Sequence, residues 1–369
     1  MKAVIFAGYY VPHTGGYIKN IHELATRLVV KGHEVTIITG NTESSKRFEM
    51  LDGIHIIRVP VWKALNNEFP IPKPSRLLWY VLHSRHDVVL TQTRFFVTSL
   101  LGCIYARWRN IPLIHVERGT VHTVTGSVIV RFLAQVYDHT LGTLVVKSAK
   151  VNVGVSQAAC RFIEHIGGKN TRVIYNGISI REYITDAHDP VLSVIYVGRA
   201  IFAKGIQDLI SAVESVRKEG KVCRLTIVGD GTYLQELKKQ ASQSVESYTH
   251  FTGELDHAGV MAMLSMSDIF VNPSYSEGLP TSVMEAASVG LPIIATDVGG
   301  TNEIIEDNKS GLLYKAGDVA QLTRMLKYLI NNLDRARYFG RWAKETVAKK
   351  FDWGVITEQY DRLLKEMKR

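Results

Sequence analysis

The sequence alternates short apolar runs with longer amphipathic segments along almost its whole length, and this pattern limits the fold more than any other feature. In the first half, apolar runs predict strands at residues 3–8, 34–39, 54–59, 87–91, 113–117 and 151–156. Amphipathic segments predict helices at residues 17–31, 95–109 and 157–166. Apolar strands separated by helices are typical of a mostly parallel, doubly wound sheet whose two faces are both covered.

The same alternation restarts in the second half. Strands are predicted at residues 192–198, 224–229, 249–253, 269–273, 293–296 and 311–314, and helices at 204–219, 232–243, 258–265, 279–289 and 318–332. Residues 180–190 show no period and are interpreted as a linker. The sequence therefore predicts an α/β protein with two Rossmann-like doubly wound domains that face a cleft, with ligands beyond the carboxyl ends of the strands.

These boundaries divide the chain into residues 1–186, residues 187–352 and a closing helix at 353–369. The 369 residues suffice for two domains of ordinary size, and 46% hydrophobic residues allow a substantial core. Three widely separated cysteines, Cys103, Cys160 and Cys223, form no zinc-binding pattern and fit a reduced cytoplasm. Neither a signal peptide nor a membrane-spanning run is evident, so we expect a cytoplasmic protein.

Positive charge is concentrated in the first half of the chain. Lys and Arg exceed Asp and Glu by ten in residues 1–186, whereas residues 187–369 carry 22 basic and 23 acidic residues. This asymmetry suggests an acidic partner such as an anionic membrane, a lipid diphosphate or nucleic acid, or simply a solvated basic face. Residues 76–85 and 127–146 are apolar with basic borders, which suits either interfacial helices or buried core helices.

The segment from residue 272 to residue 292 carries the most specific chemistry. Glu277 and a Gly-Leu-Pro turn precede a predicted helix, and Glu285 follows eight positions later, roughly 80° around a helix of 3.6 residues per turn. A helix N-terminus offers unpaired N–H groups and partial positive charge to a diphosphate, while a carboxylate can accept hydrogen bonds from sugar hydroxyls. The pattern points to a sugar nucleotide, although each acid alone could be an ordinary helix residue.

Candidate ligand-binding residues follow the first strand of each predicted domain, glycines in the first domain and cations in the second. Gly15 and Gly16 allow close approach of a ligand to the backbone, or a tight turn, but the dinucleotide fingerprint G-x-G-x-x-G is absent there. Arg199 and Lys204 follow the strand at residues 192–198, where a guanidinium and an ammonium suit a diphosphate leaving group.

Polar side chains also surround the end of the strand at residues 113–117. His115, Glu117, Arg118 and His122 lie within eight residues of one another. This spacing places titratable groups at the edge of the expected cleft. Each histidine alone could equally be an ordinary surface or core residue.

Together these motifs resemble glycosyltransferase family four, a family of retaining enzymes with the GT-B fold. The resemblance covers nearly the whole chain and includes the Gly15-Gly16 loop, Tyr175-Asn176-Gly177-Ile178, Gly198-Arg199 with Lys204-Gly205, Gly229-Asp230-Gly231, and the family's E-x7-E motif from Glu277 to Glu285. The closing helices resemble those that cross back onto the first domain in this family.

The resemblance implies a role for each matching residue. Arg199 and Lys204 would hold the donor diphosphate, Glu277 would lie beside the transferred sugar, and Glu285 would bind the ribose hydroxyls. The remaining donor contacts would come from Gly16, from the base-packing region around Thr252, and from Gly278, Leu279, Thr281 and Ser282.

Two departures from the family pattern affect these expectations. Arg118 stands where many members have a histidine, so contact with the sugar or acceptor falls to Arg118, His115 or His122, together with Gly15. Pro280 replaces a glycine often found in the turn, which removes one N–H donor.

The resulting prediction is a retaining glycosyltransferase that moves a hexose-type sugar from a nucleotide-sugar, with UDP favoured over GDP. The expected acceptor is a glycan or lipid-linked precursor of cell-surface polysaccharide, glycolipid or oligosaccharide, reached by peripheral contact with an anionic membrane and without nucleic acid. No metal or other cofactor is expected, and the sequence contains no Asp-x-Asp. The alternatives are a sugar-nucleotide epimerase, a non-catalytic sugar-nucleotide-binding protein and, less favoured, a nicotinamide oxidoreductase.

Overall fold

The computed structural model describes residues 1–64, 69–122, 128–180, 191–243 and 245–368. The chain divides into two compact units, one formed by Met1–Gly177 with Trp353–Arg369 and the other by Ile178–Asp352. The division falls after Gly177, earlier than residue 186, because the Ile178 N–H donates to the Phe351 carbonyl at 2.8 Å. Most of the interpreted linker, residues 181–190, lies outside the described residues.

The first unit contains a mostly parallel sheet. Its described strands are β1 (Lys2–Phe6), β2 (Glu34–Asn41), β3 (Phe48–Leu51), β4 (Ile54–Ala64), β5 (Phe69–Pro72), β6 (Val88–Gln92), β7 (Leu113–Glu117), β8 (Val151–Gly154) and β9 (Thr171–Val173). They follow the order β3-β4-β2-β1-β6-β7-β8-β9, and β5 pairs with β4. Only β3 and β5 pair antiparallel among these strands. All residues of β6 and β7 are buried, as expected for strands covered on both faces.

Helices cover this sheet, and the first shows why they form. The described helices are α1 (Gly16–Val30), α2 (Arg76–His83), α3 (Val97–Arg109), α4 (Val128–Tyr137), a π-helical turn (Asp138–Gly142), α5 (Thr143–Ser148) and α6 (Gln157–His165). In α1, Ile21, Leu24 and Leu28 are buried at a helical spacing. This stripe packs α1 against the sheet.

The second unit contains a fully parallel sheet. Its described strands are β10 (Leu192–Val197), β11 (Cys223–Val228), β12 (Thr249–Gly253), β13 (Ile269–Asn272), β14 (Ile293–Thr296) and β15 (Leu312–Tyr314). They follow the order β12-β11-β10-β13-β14-β15. Every one of these pairings is parallel. Both units therefore confirm the predicted Rossmann-like, doubly wound architecture.

The helices of the second unit connect these strands. They are α7 (Ile206–Lys218), α8 (Leu234–Ser242), α9 (His257–Ser265), α10 (Thr281–Val289), α11 (Thr301–Ile304), α12 (Val319–Asn331) and α13 (Leu333–Lys350). Short 3-10 turns precede α7 at Phe202–Lys204 and β12 at Glu246–Tyr248. The core contains aliphatic side chains from β10, β11, α7 and α12, including Val194, Leu225 and Leu326.

The last helix, α14 (Trp353–Met367), belongs to the first unit and packs on α1. His33 Nε2 lies 2.9 Å from the buried Asp361 carboxylate, and the Arg27 guanidinium lies 5.4 Å from the Trp353 ring centroid. Lys365 and His33 hold the pKa of Asp361 below its usual range. Across the described residues, no helix combines the length and apolarity needed to cross a membrane.

Candidate functional site

In the second unit, the sheet brings together two loops that are distant in sequence. The strand order reverses at β10, which pairs with β11 on one side and β13 on the other. Ligands of doubly wound sheets bind beyond the carboxyl ends of the strands at such a switch point. Arg199 and Lys204 follow β10, and Glu277 follows β13, so all three lie on loops at this position.

Close packing fixes the loop after β10 against the loop after β13. Gly205 has φ 65°, and a Cβ atom at this position would overlap the carbonyl oxygen of Pro273. The Tyr275 N–H donates to the Ala203 carbonyl at 2.9 Å. Glycine is needed at residue 205 both for its left-handed conformation and for this close approach.

Lys204 and Glu277 meet in a charge-assisted hydrogen bond. Lys204 Nζ lies 2.6 Å from Glu277 Oε1, and the two side chains are 19% and 11% exposed. Ser274 Oγ lies 2.6 Å from the same carboxylate oxygen. The carboxylate is therefore held in place by a cation and a hydroxyl, yet both members of the ion pair remain accessible from solvent.

Ser274 and Asn272 lie behind the Glu277 carboxylate, a supporting position that the sequence did not reveal. Ser274 is fully buried, and its Oγ also lies 3.0 Å from Asn272 Oδ1, while Asn272 Nδ2 has no partner. Because a hydroxyl has one proton, Ser274 donates to Glu277 and accepts from Asn272 if the amide is turned so that Nδ2 faces Oγ. In that orientation Ser274 both accepts from Asn272 and donates to Glu277.

Helix α10 begins at Thr281, two residues later than predicted, with Pro280 as its N-cap. Glu277 therefore lies in the turn before the helix, and the 80° angle between Glu277 and Glu285 on one helix does not apply. No side chain caps this end, and Thr281 and Ser282 are half-buried. The first N–H groups of a helix lack intrahelical partners, so this end can receive an anion.

A neighbouring loop supports the turn before α10. The Gly300 N–H donates to the Gly278 carbonyl at 2.9 Å. Gly299 has φ 58°, and an added Cβ would overlap the carbonyl oxygen of Glu277. Leu279 is buried at 5% exposure, so this side chain anchors the turn in the core.

The other predicted donor residues of the second unit lie in three different settings. Arg199 is exposed, and it forms no ion pair with the described residues. Glu285 is buried within α10, with His257 Nδ1 3.5 Å from its carboxylate. Thr252 is half-buried at the end of β12, where its hydroxyl donates to the Gly253 carbonyl at 2.8 Å.

The Tyr196 hydroxyl lies near the same charged groups. Burial and the nearby Glu277 raise the pKa of this hydroxyl, whereas Arg199 acts in the opposite direction.

The first unit has its own switch point, between β1 and β6. Gly15 and Gly16 are exposed at the start of α1, where Gly15 has φ 119° and no side chain caps the helix. The Tyr17 hydroxyl accepts from the Gly8 N–H at 3.3 Å, and the Tyr17 ring packs on Phe96 at 5.7 Å. Aromatic packing thus connects the glycine loop to the loop after β6.

Of the three candidates for sugar or acceptor contact, Arg118 lies beside this glycine loop. Its guanidinium is 5.5 Å from the Tyr17 ring centroid and donates to Asn176 Oδ1 at 2.5 Å and Gln92 Oε1 at 3.2 Å. The side chain is half-buried. Burial lowers the pKa of Arg118, but a guanidinium remains protonated at physiological pH.

The two histidines are engaged within the first unit. His115 is fully buried, with Nδ1 2.9 Å from Thr91 Oγ1 and Nε2 3.3 Å from Glu117 Oε2. No surface of this ring is open to a ligand. His122 is half-buried, and its Nδ1 lies 2.7 Å from Asp138 Oδ2.

A buried ion-pair network that sequence reasoning missed lies beneath Arg118. Arg94 Nη1 is 3.1 Å from Glu117, and the same guanidinium contacts Asp138 at 2.7 and 3.0 Å. Burial alone would raise the pKa of Glu117, but Arg94 and His115 hold it well below its usual range. Burial opposes the charge on Arg94, yet Glu117 and Asp138 together raise its pKa.

Comparisons with known proteins agree with this fold. Residues 14–182 match the family model described as Glycosyltransferase Family 4, and residues 185–346 match Glycosyl transferases group 1. The uncharacterized glycosyltransferase MJ1069 of Methanocaldococcus jannaschii is 29% identical, over 100% of this chain and 99% of that protein. Alpha-monoglucosyldiacylglycerol synthase of Streptococcus pneumoniae is 27% identical, over 85% of this chain and 75% of that protein.

A solved structure extends the comparison to three dimensions. The crystal structure of Anabaena HepE in complex with UDP and glucose has a TM-score of 0.80, with 18% sequence identity over 99% of this chain and 100% of that chain. The chain therefore belongs to the family 4 glycosyltransferases of the GT-B fold. The protein is a glycosyltransferase.

Proposed function

We propose that the protein transfers a hexose-type sugar from a UDP-sugar with retention of anomeric configuration. The observation that carries this proposal is the accessible Lys204–Glu277 pair at 2.6 Å, beside the uncapped start of α10 and at the switch point of the second sheet. This arrangement supplies positive charge for a diphosphate and a fixed carboxylate for the hydroxyls of a sugar.

The donor diphosphate would be held from two directions. Arg199 and Lys204 supply a guanidinium and an ammonium, and the first amides of α10, at Thr281 and Ser282, supply aligned N–H donors. These groups are fixed before the reaction, so they can stabilise the charge that gathers on the departing nucleoside diphosphate. The expected chemistry needs no metal, because these groups supply the positive charge.

Neighbouring groups would bind the sugar, the ribose and the base of the donor. Glu277 would accept hydrogen bonds from the transferred sugar, and Glu285 from the ribose hydroxyls. Thr252, at the end of the edge strand β12, would border the base. UDP is favoured because the structurally similar HepE was solved with UDP and glucose.

Retention of the anomeric configuration requires the acceptor hydroxyl to attack the sugar from the same face from which the leaving group departs. The bond from the sugar to the diphosphate oxygen breaks as the bond to the acceptor oxygen forms. The acceptor proton passes to the leaving phosphate, so no separate base is required. Gly15 and Arg118 of the first unit are proposed to contact the acceptor or the sugar, with Arg118 in place of a histidine, and Gly16 is proposed to contact the donor.

A lipid-linked acceptor at an anionic membrane surface is supported by α4 and α5. Ile129, Phe132 and Leu133 are 72%, 63% and 59% exposed, and Leu144 on α5 is 54% exposed. This apolar face does not fit the alternative of a fully buried core helix. Arg131 and Lys147 are exposed on the same helices. An exposed apolar face with basic residues is typical of interfacial helices.

A second exposed patch strengthens this proposal. Trp79 and Tyr80 on α2 are 63% and 58% exposed, and Trp108 on α3 is 51% exposed. The Trp79 and Trp108 rings pack at 6.2 Å. Tryptophan and tyrosine favour the boundary between lipid and water. The name of the similar alpha-monoglucosyldiacylglycerol synthase also points to a glycolipid product.

The experiment that tests the activity is a transfer assay with a panel of UDP- and GDP-sugars and lipid acceptors in anionic vesicles. We expect a glycosylated lipid with the anomeric configuration of the donor, measured by mass spectrometry and NMR. An inverted product would contradict retention. Interconversion of the sugar nucleotide without any acceptor product would indicate an epimerase, and binding without turnover would indicate a non-catalytic protein.

Membrane contact is tested separately by cosedimentation with anionic vesicles. The triple variant Ile129→Ser, Phe132→Ser and Leu133→Ser should lose most vesicle binding. The matched control, Val222→Ser with Met266→Ser, alters residues of the second unit that are 56% and 71% exposed and should bind like the original chain. Equal binding by the triple variant and the original chain would contradict a role for α4.

A further inference from the structure

We propose that His122, His139 and His165 form a binding site for a transition-metal ion such as Zn²⁺ in the first unit. The three residues come from the loop after β7, the π-helical turn and the end of α6. One ring nitrogen from each lies within 4.8 Å of the other two. The proposal concerns a different place from the donor site and does not rest on the transfer reaction.

A second observation, the contact with Asp138, specifies how His122 would bind. The His122 Nδ1 atom lies 2.7 Å from the buried Asp138 carboxylate. Nδ1 therefore carries the proton and donates a hydrogen bond to Asp138. The other ring nitrogen, Nε2, is then the one with a lone pair. Metal-binding histidines usually donate their second nitrogen to a carboxylate, which fixes the tautomer and the ring orientation.

The fold holds the other two histidines close together. His139 lies in the π-helical turn, and π turns occur often at functional sites. Thr143 Oγ1 lies 3.1 Å from the Asp138 carbonyl and 3.0 Å from the Ile166 carbonyl. This hydroxyl links the turn that carries His139 to the end of the helix that carries His165.

The local charge also favours a cation. Arg94 faces both Glu117 and Asp138, so these three buried groups together carry one negative charge. The alternative is a simple aromatic cluster, since the His122 ring centroid lies 5.3 Å from that of His139 and 5.2 Å from that of Phe162. An aromatic cluster alone does not require Asp138 to orient one ring or three ring nitrogens to converge.

The ligand set indicates the class of metal. Three neutral imidazoles suit Zn²⁺, Co²⁺, Ni²⁺ or Cu²⁺, whereas Mg²⁺ and Ca²⁺ prefer oxygen ligands. Bonds of about 2.0–2.1 Å in a tetrahedral site place the nitrogens about 3.4 Å apart. His139 and His165 are exposed and can rotate by this small amount, and a water molecule can occupy the fourth position.

The site would act by positioning rather than by catalysis. Asp138 contacts Arg94, Arg94 contacts Glu117, and the Glu117 carboxylate accepts from the backbone N–H groups of Arg118 and Gly119 at 2.8 and 2.7 Å. A bound metal would therefore fix the first member of a chain that ends at the loop carrying Arg118.

The test is a titration of the full-length chain, without a polyhistidine tag, with Co²⁺ and then Zn²⁺. We expect one equivalent of Co²⁺ to bind and to give the intense visible bands of a four-coordinate complex, which Zn²⁺ then removes. The double variant His139→Ala with His165→Ala should lose these bands. Both positions are exposed, so the fold should be unaffected, and circular dichroism checks this.

The matched control is His55→Ala with His83→Ala, which removes two exposed histidines of the same unit and should keep the bands. Asp138→Asn should weaken binding by about 10- to 100-fold, because it removes the carboxylate that orients His122. Failure of the original chain to bind Co²⁺, or equal binding by the double variant, would overturn the proposal whatever the transfer assay shows.

Discussion

The two units share a doubly wound, mostly parallel sheet, but the charged side chains at their strand ends differ in exposure to solvent. At the switch point of the second unit, Lys204 and Glu277 remain 19% and 11% exposed, and Arg199 is exposed. In the first unit, Arg94 and Glu117 are buried, at 5% and 0% side-chain exposure. The position of a residue at a strand end therefore does not decide its chemistry. At these two strand ends, the accessible charges are the ones proposed to bind a ligand, and the fully enclosed charges bind one another.

The comparison is tested most strongly by breaking the buried network. Arg94→Met should lower the free energy of unfolding by about 3–5 kcal/mol, because it leaves the buried Glu117 and Asp138 carboxylates without their shared cation. Glu117→Gln should cost less, because Arg94 keeps Asp138 as its partner. Urea unfolding followed by circular dichroism measures the loss. Lys204→Ala, in the second unit, should cost no more than about 1 kcal/mol. Similar losses in both units would remove the distinction between them.

The next largest effect is expected on turnover. Lys204→Ala and Glu277→Ala should each lower kcat by about 10²- to 10³-fold, because each removes a preorganised group beside the reacting sugar or diphosphate. Their circular dichroism spectra should match that of the original chain. The control is Lys218→Ala, which removes an exposed lysine of the same unit that pairs with Glu214 on the same helix. Near-normal turnover in either variant would reject its assignment.

A smaller effect is expected at Glu285, which is proposed to bind the donor before and during the reaction. Glu285→Gln should raise the KM for the donor by about 10-fold with little change in kcat, since a hydrogen bond to a charged group contributes about 1.5–3 kcal/mol. Steady-state kinetics with varied donor measures this. An unchanged KM with a reduced kcat would instead place Glu285 at the reacting centre. His257→Ala shows whether the 3.5 Å neighbour contributes to the effect.

An effect of a different kind, on stability rather than turnover, is expected from pH in the first unit. Burial lowers the pKa of His86 to about 4, and its Nδ1 lies 2.8 Å from the Tyr105 hydroxyl. Because the folded-state pKa lies below the usual value of about 6.5, folding favours the neutral ring. This contribution is complete above pH 6.5 and is lost as the pH falls towards 4.

His86→Gln should therefore flatten the dependence of unfolding free energy on pH between about 6.5 and 4. The exposed His55→Gln should leave the slope unchanged. Urea unfolding at several pH values in this window compares the three proteins. A slope that stays the same in His86→Gln would show that the charge state of His86 does not differ between the folded and unfolded chains.

Much of the fold could be predicted because parallel strands buried on both faces contain continuous apolar runs, as at residues 88–90 of β6 and 293–295 of β14. The strands that the sequence did not predict are short or lie at an edge of the sheet. The residues of β3 alternate between exposed and half-buried, and β9 has only three residues. Such strands depend on pairing with a neighbour, which a local pattern does not record.

For the candidate site, the sequence could predict only those neighbours that the order of the strands brings together. Residues that follow β10 and β13 must lie near one another, so Lys204 and Glu277 could be expected together. Hydrogen bonding and packing decide the rest. The start of α10 depends on Pro280, and the burial of Arg94 depends on Asp138, 44 residues away. The apolar sequence of α4 allowed both a buried and an exposed helix.

The second unit is proposed to hold a nucleoside diphosphate at the start of α10. A crystal structure of the full chain with UDP measures this most directly. We predict the diphosphate oxygens within hydrogen-bond distance of the Thr281 and Ser282 amides, with Lys204 or Arg199 as the charged partner. A diphosphate that contacts none of these four residues would contradict the account.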